Sequence, residues 1–143
     1  MAKKARLTRR LKRQYQAVLE LDAHSWMYPG PGWSNKNYHK YNKNRTNWDY
    51  DPAWGAWAFA KEWQNRQDVD IKRLQRIVIK SGNPYVAYAF ARDVKEANIN
   101  RLQRLVIYSG DPDIMRIFAN NIRGANQYLL NSLADVAEIM VAW

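Results

Sequence analysis

The sequence predicts an all-α fold: a small α-solenoid of two-helix repeats, preceded by a basic amphipathic helix and a long aromatic-rich loop. Three observations carry the prediction. The chain repeats itself, since "IKRLQRIVIKSGNPYVAYAFARDVKEAN" over 71–98 aligns without gaps on "INRLQRLVIYSGDPDIMRIFANNIRGAN" over 99–126. The pairs Leu74/Leu102, Gly82/Gly110, Pro84/Pro112, Phe90/Phe118 and Asn98/Asn126 all fall at a spacing of 28, and a fixed period of about 20–50 residues marks stacked supersecondary units. Within each copy the apolar residues follow helical spacing, as in Ile71, Leu74, Ile77 and Val78. The same punctuation also recurs in both copies, Ser-Gly followed by Asn-Pro or Asp-Pro.

Each element follows from its own residues. In "ARLTRRLKRQYQAVLELDAHSWM", Leu7, Leu11, Tyr15, Val18 and Leu19 form one apolar stripe, which predicts a first helix with a basic outer side. The next stretch, "YPGPGWSNKNYHKYNKNRTNWDY", is dense in Asn, Gly and Pro and has no apolar period, so it reads as irregular loop. A loop of that length inside a compact domain is functional or disordered. Asp51-Pro52 then starts a helix, and "DPAWGAWAFAKEW" matches "NPYVAYAFARDV" with one extra residue. Trp57, Phe59 and Trp63 there stand for Tyr88, Phe90 and Val94.

In the repeated unit the first helix ends at Ser81-Gly82, because Gly tolerates the left-handed position past a helix end. Asn83, or Asp111 in the copy, caps the second helix, and Pro84 or Pro112 at its first position sacrifices no needed N–H. The second helix runs to about Val94. After Asn126 the Ser-Gly turn is lost while Leu130 and Leu133 keep the period, which predicts one longer terminal helix acting as a cap. The resulting division is a basic helix and aromatic, Asn-rich loop over 1–50 and a repeat domain over 51–143. The repeat domain has units near 51–70, 71–98 and 99–126 and a capping helix over 127–143.

These copies also carry a resemblance. "SGNPYVAYAFARDVKEAN" and "SGDPDIMRIFANNIRGAN", each preceded by "RLQR" and an apolar triplet, resemble short helical repeats of this length in uncharacterised proteins of tailed phages and large DNA viruses. The resemblance covers about 51–133. It implies a helical-repeat fold and a phage or viral origin, and it brings no shared catalytic motif and hence no activity.

Charge and composition narrow the function. The net charge of +10 is concentrated: residues 1–45 hold 11 Lys and Arg against Glu20 and Asp22, a balance of +9, and the remainder balances at +1. Such asymmetry points to a polyanion. The chain has no Cys, which excludes thiol catalysis, disulfides and thiolate zinc sites and fits a reducing compartment, the cytoplasm of the host cell if the protein is viral. No stretch is long and apolar enough for a membrane span, and the basic start lacks the apolar core of a secretory signal. No nucleophile elbow, P-loop, zinc-protease or EF-hand pattern occurs, His24 and His39 stand in no catalytic pattern, and an enzyme is not expected. Neither a cofactor nor a metal nor a small-molecule substrate is expected.

Three groups of residues are candidates for binding. Lys3, Lys4, Arg6, Arg9, Arg10, Lys12 and Arg13 form a basic run that would attract a phosphate backbone, although such a run in isolation is often only solvated. In the loop, Trp33, Tyr38, Tyr41 and Trp48 alternate with Lys36, Lys40, Lys43 and Arg45. Rings with cations suit single-stranded nucleic acid, but equally a protein interface or a cap on the first repeat. By contrast Trp54, Trp57 and Trp63 sit on a helix and are most simply core. Arg73, Arg76, Arg101 and Arg104 lie opposite the apolar stripe, and helices stacked about 8–10 Å apart would set them in a two-by-two array. The bland reading of that array is a solvated face whose guanidiniums pair with Asp93 and Glu96.

Together these features lead to the expectation of a non-catalytic, phage-encoded binding protein that engages RNA or single-stranded DNA through its basic N-terminal third. The alternative is a small viral effector or structural subunit that grips a protein through the aromatic loop and the repeat surface.

Overall fold

The computed structural model describes residues 5–24 and 52–141, and among them the only regular structure is helical. The described helices are α1 (Arg9–His24), α2 (Pro52–Trp63), α3 (Ile71–Ser81), α4 (Pro84–Asp93), α5 (Ile99–Ser109), α6 (Pro112–Asn121) and α7 (Gln127–Val141). The expected irregular loop, the Asp51 helix start and the end of the chain at 142–143 lie outside the described residues.

Cap chemistry sets the boundaries. Gly82 and Gly110 take left-handed backbone, at φ 70° and 71°, just past the ends of α3 and α5. Ser81 and Ser109 reach back to the carbonyls of Val78 and Val106, and each hydroxyl also accepts the amide two residues on. Asn83 then caps α4 by accepting from the Tyr85 and Val86 amides, and Asp111 caps α6 by accepting from the Asp113 amide. Pro84 and Pro112 occupy the first turns, as expected. Asp70 and Asn98 are further N-caps, accepting from the amides of Arg73 and Arg101, and the Leu129 amide donates to Asn126 in the same way. The closing Asn of "KEAN" and "RGAN" is thus the start signal of the following helix.

The helices pair as hairpins, and the pairing is offset from the unit written in the sequence. The most extensive packing joins α2 with α3, α4 with α5 and α6 with α7. Helices joined through the Ser-Gly turn, α3 with α4 and α5 with α6, pack less extensively. Val86 and Phe90 of α4 and Leu102 and Val106 of α5 supply fully buried side chains to the central hairpin. The first hairpin is longer than the second. Helix α2 has 12 residues against 10 in α4, and the connection over 64–70 is longer than that over 94–98.

One apolar core runs through all of this, from Leu7, Leu11, Val18 and Leu19 at the N-terminal side to Leu130 and Ala134 on α7. Leu7 and the stripe of α1 therefore face inward, as their spacing requires. Tyr15 stacks on Phe59 with ring centroids 5.1 Å apart. In the following hairpins Tyr88 of α4 meets Phe118 of α6 edge to face at 6.5 Å, so two equivalent Phe positions each receive a ring from an earlier helix. Trp54, Trp57 and Trp63 pack half-buried against the core. Trp57 also donates its indole N–H to Asp93 at 2.9 Å, tying the first hairpin to the second.

Two buried glutamines brace the stack. Gln75 donates to the Asn98 carbonyl at 3.3 Å and accepts from the Asn98 amide at 2.8 Å. Gln103 accepts from the Asn126 amide at 2.8 Å. Each occupies the third position of "RLQR" and holds the connection of the next hairpin. Gln64 grips the Asp93 carbonyl and the Lys95 amide in a related way.

Candidate nucleic-acid interface

The outer sides of α1, α3 and α5 carry the candidate cations among the described residues. On α1 and the residues just before it, Arg6, Arg9, Arg10, Lys12 and Arg13 are exposed while Leu7 and Leu11 are buried. The segment 5–7 and α1 are pinned to the connection that leads into α3. The Leu7 amide donates to Asp68 at 2.9 Å, the Gln67 amide donates to the Ala5 carbonyl at 2.9 Å, and the Asp70 amide donates to the Tyr15 hydroxyl at 2.9 Å. Lys12 lies 4.0 Å from Asp68. The bond from the Leu7 amide holds the Asp68 carboxyl below the usual range, whereas burial pushes the Tyr15 phenol up. These bonds fix α1 against Asp70, whose side chain caps the turn that carries Arg73.

On α3 and α5 the two-by-two array takes a definite form. Arg73, Arg76, Arg101 and Arg104 are all exposed. Arg76 and Arg101 line one groove between the two helices, together with Lys72, Gln75, Ile79, Glu96 and Asn98. Arg73 and Arg76 line a second depression with Asp70 and Lys80, and Arg101 and Arg104 line a third with Ile79, Leu105 and Tyr108. The groove joining Arg76 to Arg101 has a volume of ≈ 550 Å³.

The bland pairing with Asp93 is not what the structure has. Asp93 is taken by its neighbour Arg92 at 2.8 Å and by Trp57, and the Arg92 guanidinium holds its carboxyl below the usual range. Among the described residues the ion pairs of Arg92 and Arg116 are elsewhere, and none includes Arg73, Arg76, Arg101 or Arg104. Glu96 does line the groove of Arg76 and Arg101, so one carboxylate tempers the positive field there. Planar guanidiniums that are not already forked onto carboxylates can take phosphate oxygens two at a time.

The basic face ends at α7. At the 28-residue spacing, Arg101 and Arg104 correspond to Leu129 and Ser132. The exposed residues of α7 instead mix apolar side chains, with Tyr128 85%, Ile139 61% and Met140 72% exposed, and the carboxylates Asp135 and Glu138. Where a further hairpin would stack, Arg116 stands in the position of Tyr88. It bonds Asp135 at 2.7 Å and Glu138 at 2.9 Å.

Lys3, Lys4, Lys36, Lys40, Lys43 and Arg45, with the rings of Trp33, Tyr38, Tyr41 and Trp48, lie outside the described residues. Lys72, Lys80 and Tyr108 belong to the grooves and were not among the candidates read from sequence; their exposed helical register beside the Arg residues was the available signal. No group of His, Asp and Glu placed to hold a metal ion occurs among the described residues, and none of their helices is long and apolar enough to cross a membrane. Comparison with protein-family models, with curated proteins and with solved structures returns no match.

Proposed function

We propose that this protein is a non-catalytic nucleic-acid-binding protein, phage-encoded, built as a small α-solenoid whose basic face receives the backbone of RNA or single-stranded DNA. One observation carries the reading: four exposed guanidiniums on two neighbouring helices share adjoining grooves without carboxylate forks, on the side of the molecule where α1 is pinned to the start of α3. A polyanion with phosphates in succession complements such a surface. Stacked helical pairs with an extended side are a binding architecture, and no recognition-helix motif favours base reading in a duplex. The phage origin rests on the likeness of the repeats to phage and large-virus sequences.

The test is binding of a fluorescent single-stranded RNA across a salt series. Affinity should fall steeply from low to moderate salt. Replacing Arg73, Arg76, Arg101 and Arg104 together with Gln should lower the slope by roughly 0.7 for each phosphate no longer neutralised. Absence of binding at low salt removes the proposal.

A second reading, a viral effector or structural subunit that grips a protein, draws support from the outward side of α7. There Tyr128, Val136, Ile139 and Met140 form an exposed apolar surface of the kind that protein interfaces use.

A further inference from the structure

The three residues Arg101, Arg104 and Tyr108 lie along one stripe of α5, at i, i+3 and i+7, and all three line the same groove. Neighbours at this spacing have Cβ atoms about 5–6 Å apart, so a group held by Arg104 is within one side-chain length of the Tyr108 ring. Tyr108 is 87% exposed, the most exposed of the large hydrophobic side chains among the described residues. No apolar packing explains that ring. The buried members of its helix are Leu102, Gln103, Leu105 and Val106, which face the hairpin interior and the next connection.

Across the groove stand Ile79 and Gly82 of the preceding hairpin, a low wall with no side chain at Gly82 to cover the ring. The equivalent position in the preceding repeat is Lys80, so a third cation, beside Arg73 and Arg76, replaces the ring one unit earlier. The face thus changes from one helix to the next, from three cations beside the Asp70 cap on α3 to two cations plus one open aromatic face on α5.

We infer that Arg101, Arg104 and Tyr108 form a nucleotide subsite that takes an unpaired base: the ring of Tyr108 stacks on the base, and the two guanidiniums hold the flanking phosphates. The inference rests on the nucleic-acid reading above and adds to it a place, a ring and a requirement for single-stranded substrate. An open ring beside two cations meets both needs of a strand whose bases are free, a flat face and a charge. A duplex would offer the same phosphates but no base face.

The deciding experiment compares two fluorescent single strands of equal length and charge, one oligoadenylate and one abasic, on the full chain and its variants. For Tyr108→Ala the expected result is a loss of about 5- to 150-fold on oligoadenylate, the stacking contribution of one base. The abasic strand should change by less than about 2-fold, and the salt slope should stay the same. Tyr108→Trp should restore or exceed the original affinity, and the thermal melt of both variants should match the parent because the site is on the surface. Arg101→Gln with Arg104→Gln should weaken both strands alike and lower the salt slope.

If Tyr108→Ala affects both strands equally or neither, there is no stacking platform and the subsite is wrong. In that case persistent salt-dependent binding of both strands leaves the polyanion reading standing. If the parent protein binds neither strand at low salt, both readings fall together.

Discussion

Gln75 and Gln103 are the buried polar side chains among the described residues, and each satisfies a main-chain amide in a connection 23 residues further on. Removing the side chain at Gln103 leaves the Asn126 amide without its partner. Gln103→Ala should therefore cost about 1–3 kcal/mol, read as a shift in the urea midpoint at unchanged slope. Asp93 makes a different kind of link, joining Arg92 and Trp57 at one carboxylate. Its carboxyl is lowered chiefly by the Arg92 hydrogen bonds. A lowered folded value means the contribution is complete above the unfolded value, about 3.9, and is lost as pH falls through the folded one. Asp93→Asn should accordingly be less stable at pH 7 and should lose part of the decline below about pH 4. Asp68, held low by the Leu7 amide, keeps the rest of that decline in the variant. The periodic Gln was visible in "RLQR", but a polar Gln beside an Arg carries no local signal of burial. Only its register against the next connection gives it a task.

At the scale of the element, one side of α5 is core and the other is groove. Leu102 is fully buried while Arg101, its neighbour, is exposed. Leu102→Ala should cost about 2–5 kcal/mol and Arg101→Ala less than about 0.5 kcal/mol in denaturant melts. Similar losses at both positions would contradict the side assignment. The end of α5 offers an independent check, because Gly110 has φ 71° and open space around a would-be Cβ. Gly110→Ala should cost about 1–2 kcal/mol from backbone conformation alone. Helix identity, the Ser-Gly stop and the inward stripe were legible here, since they depend on residues within a turn of one another, whereas the Asn98 cap emerged only from the structure. The partner of each helix was not. The sequence unit suggests α3 with α4, whereas the more extensive packing joins α4 to α5 and α6 to α7.

For the whole molecule, charge and the two ends of the stack matter most. Leu7 and Leu11 are buried and α1 is bonded to 67–70, so the basic run around them contributes to the core as well as to the field. Electrostatics there is best probed by substitution. If the proposed RNA binding holds, changing Arg9, Arg10 and Arg13 to Gln should flatten its salt dependence while leaving the melt nearly unchanged, because all three are exposed. At the opposite end, Arg116 with Asp135 and Glu138 gives the last hairpin a charged side where stacking would otherwise continue. Restoring an apolar side with Arg116→Tyr, Asp135→Leu and Glu138→Leu should produce concentration-dependent association in sedimentation velocity. A variant that stays as the parent at all concentrations would show that the charged side does not limit stacking.

By itself the sequence determined the all-α class, the 28-residue period, the boundaries of the repeated helices and which of their sides is apolar. These follow from short-range rules: Gly at left-handed positions, Asn and Asp as N-caps, Pro in first turns and apolar spacing along a helix. The sequence also located the charge. Tertiary structure alone decided that hairpins form across "KEAN" and "RGAN", that Gln75 and Gln103 clasp the next connection, and that Arg76 meets Arg101 over one groove with Tyr108 open beside the next. The physical reason is distance along the chain. Residues 23 to 28 positions apart meet only through the packing of whole helices, and the angle and offset of that packing are set by the summed shape of many buried side chains.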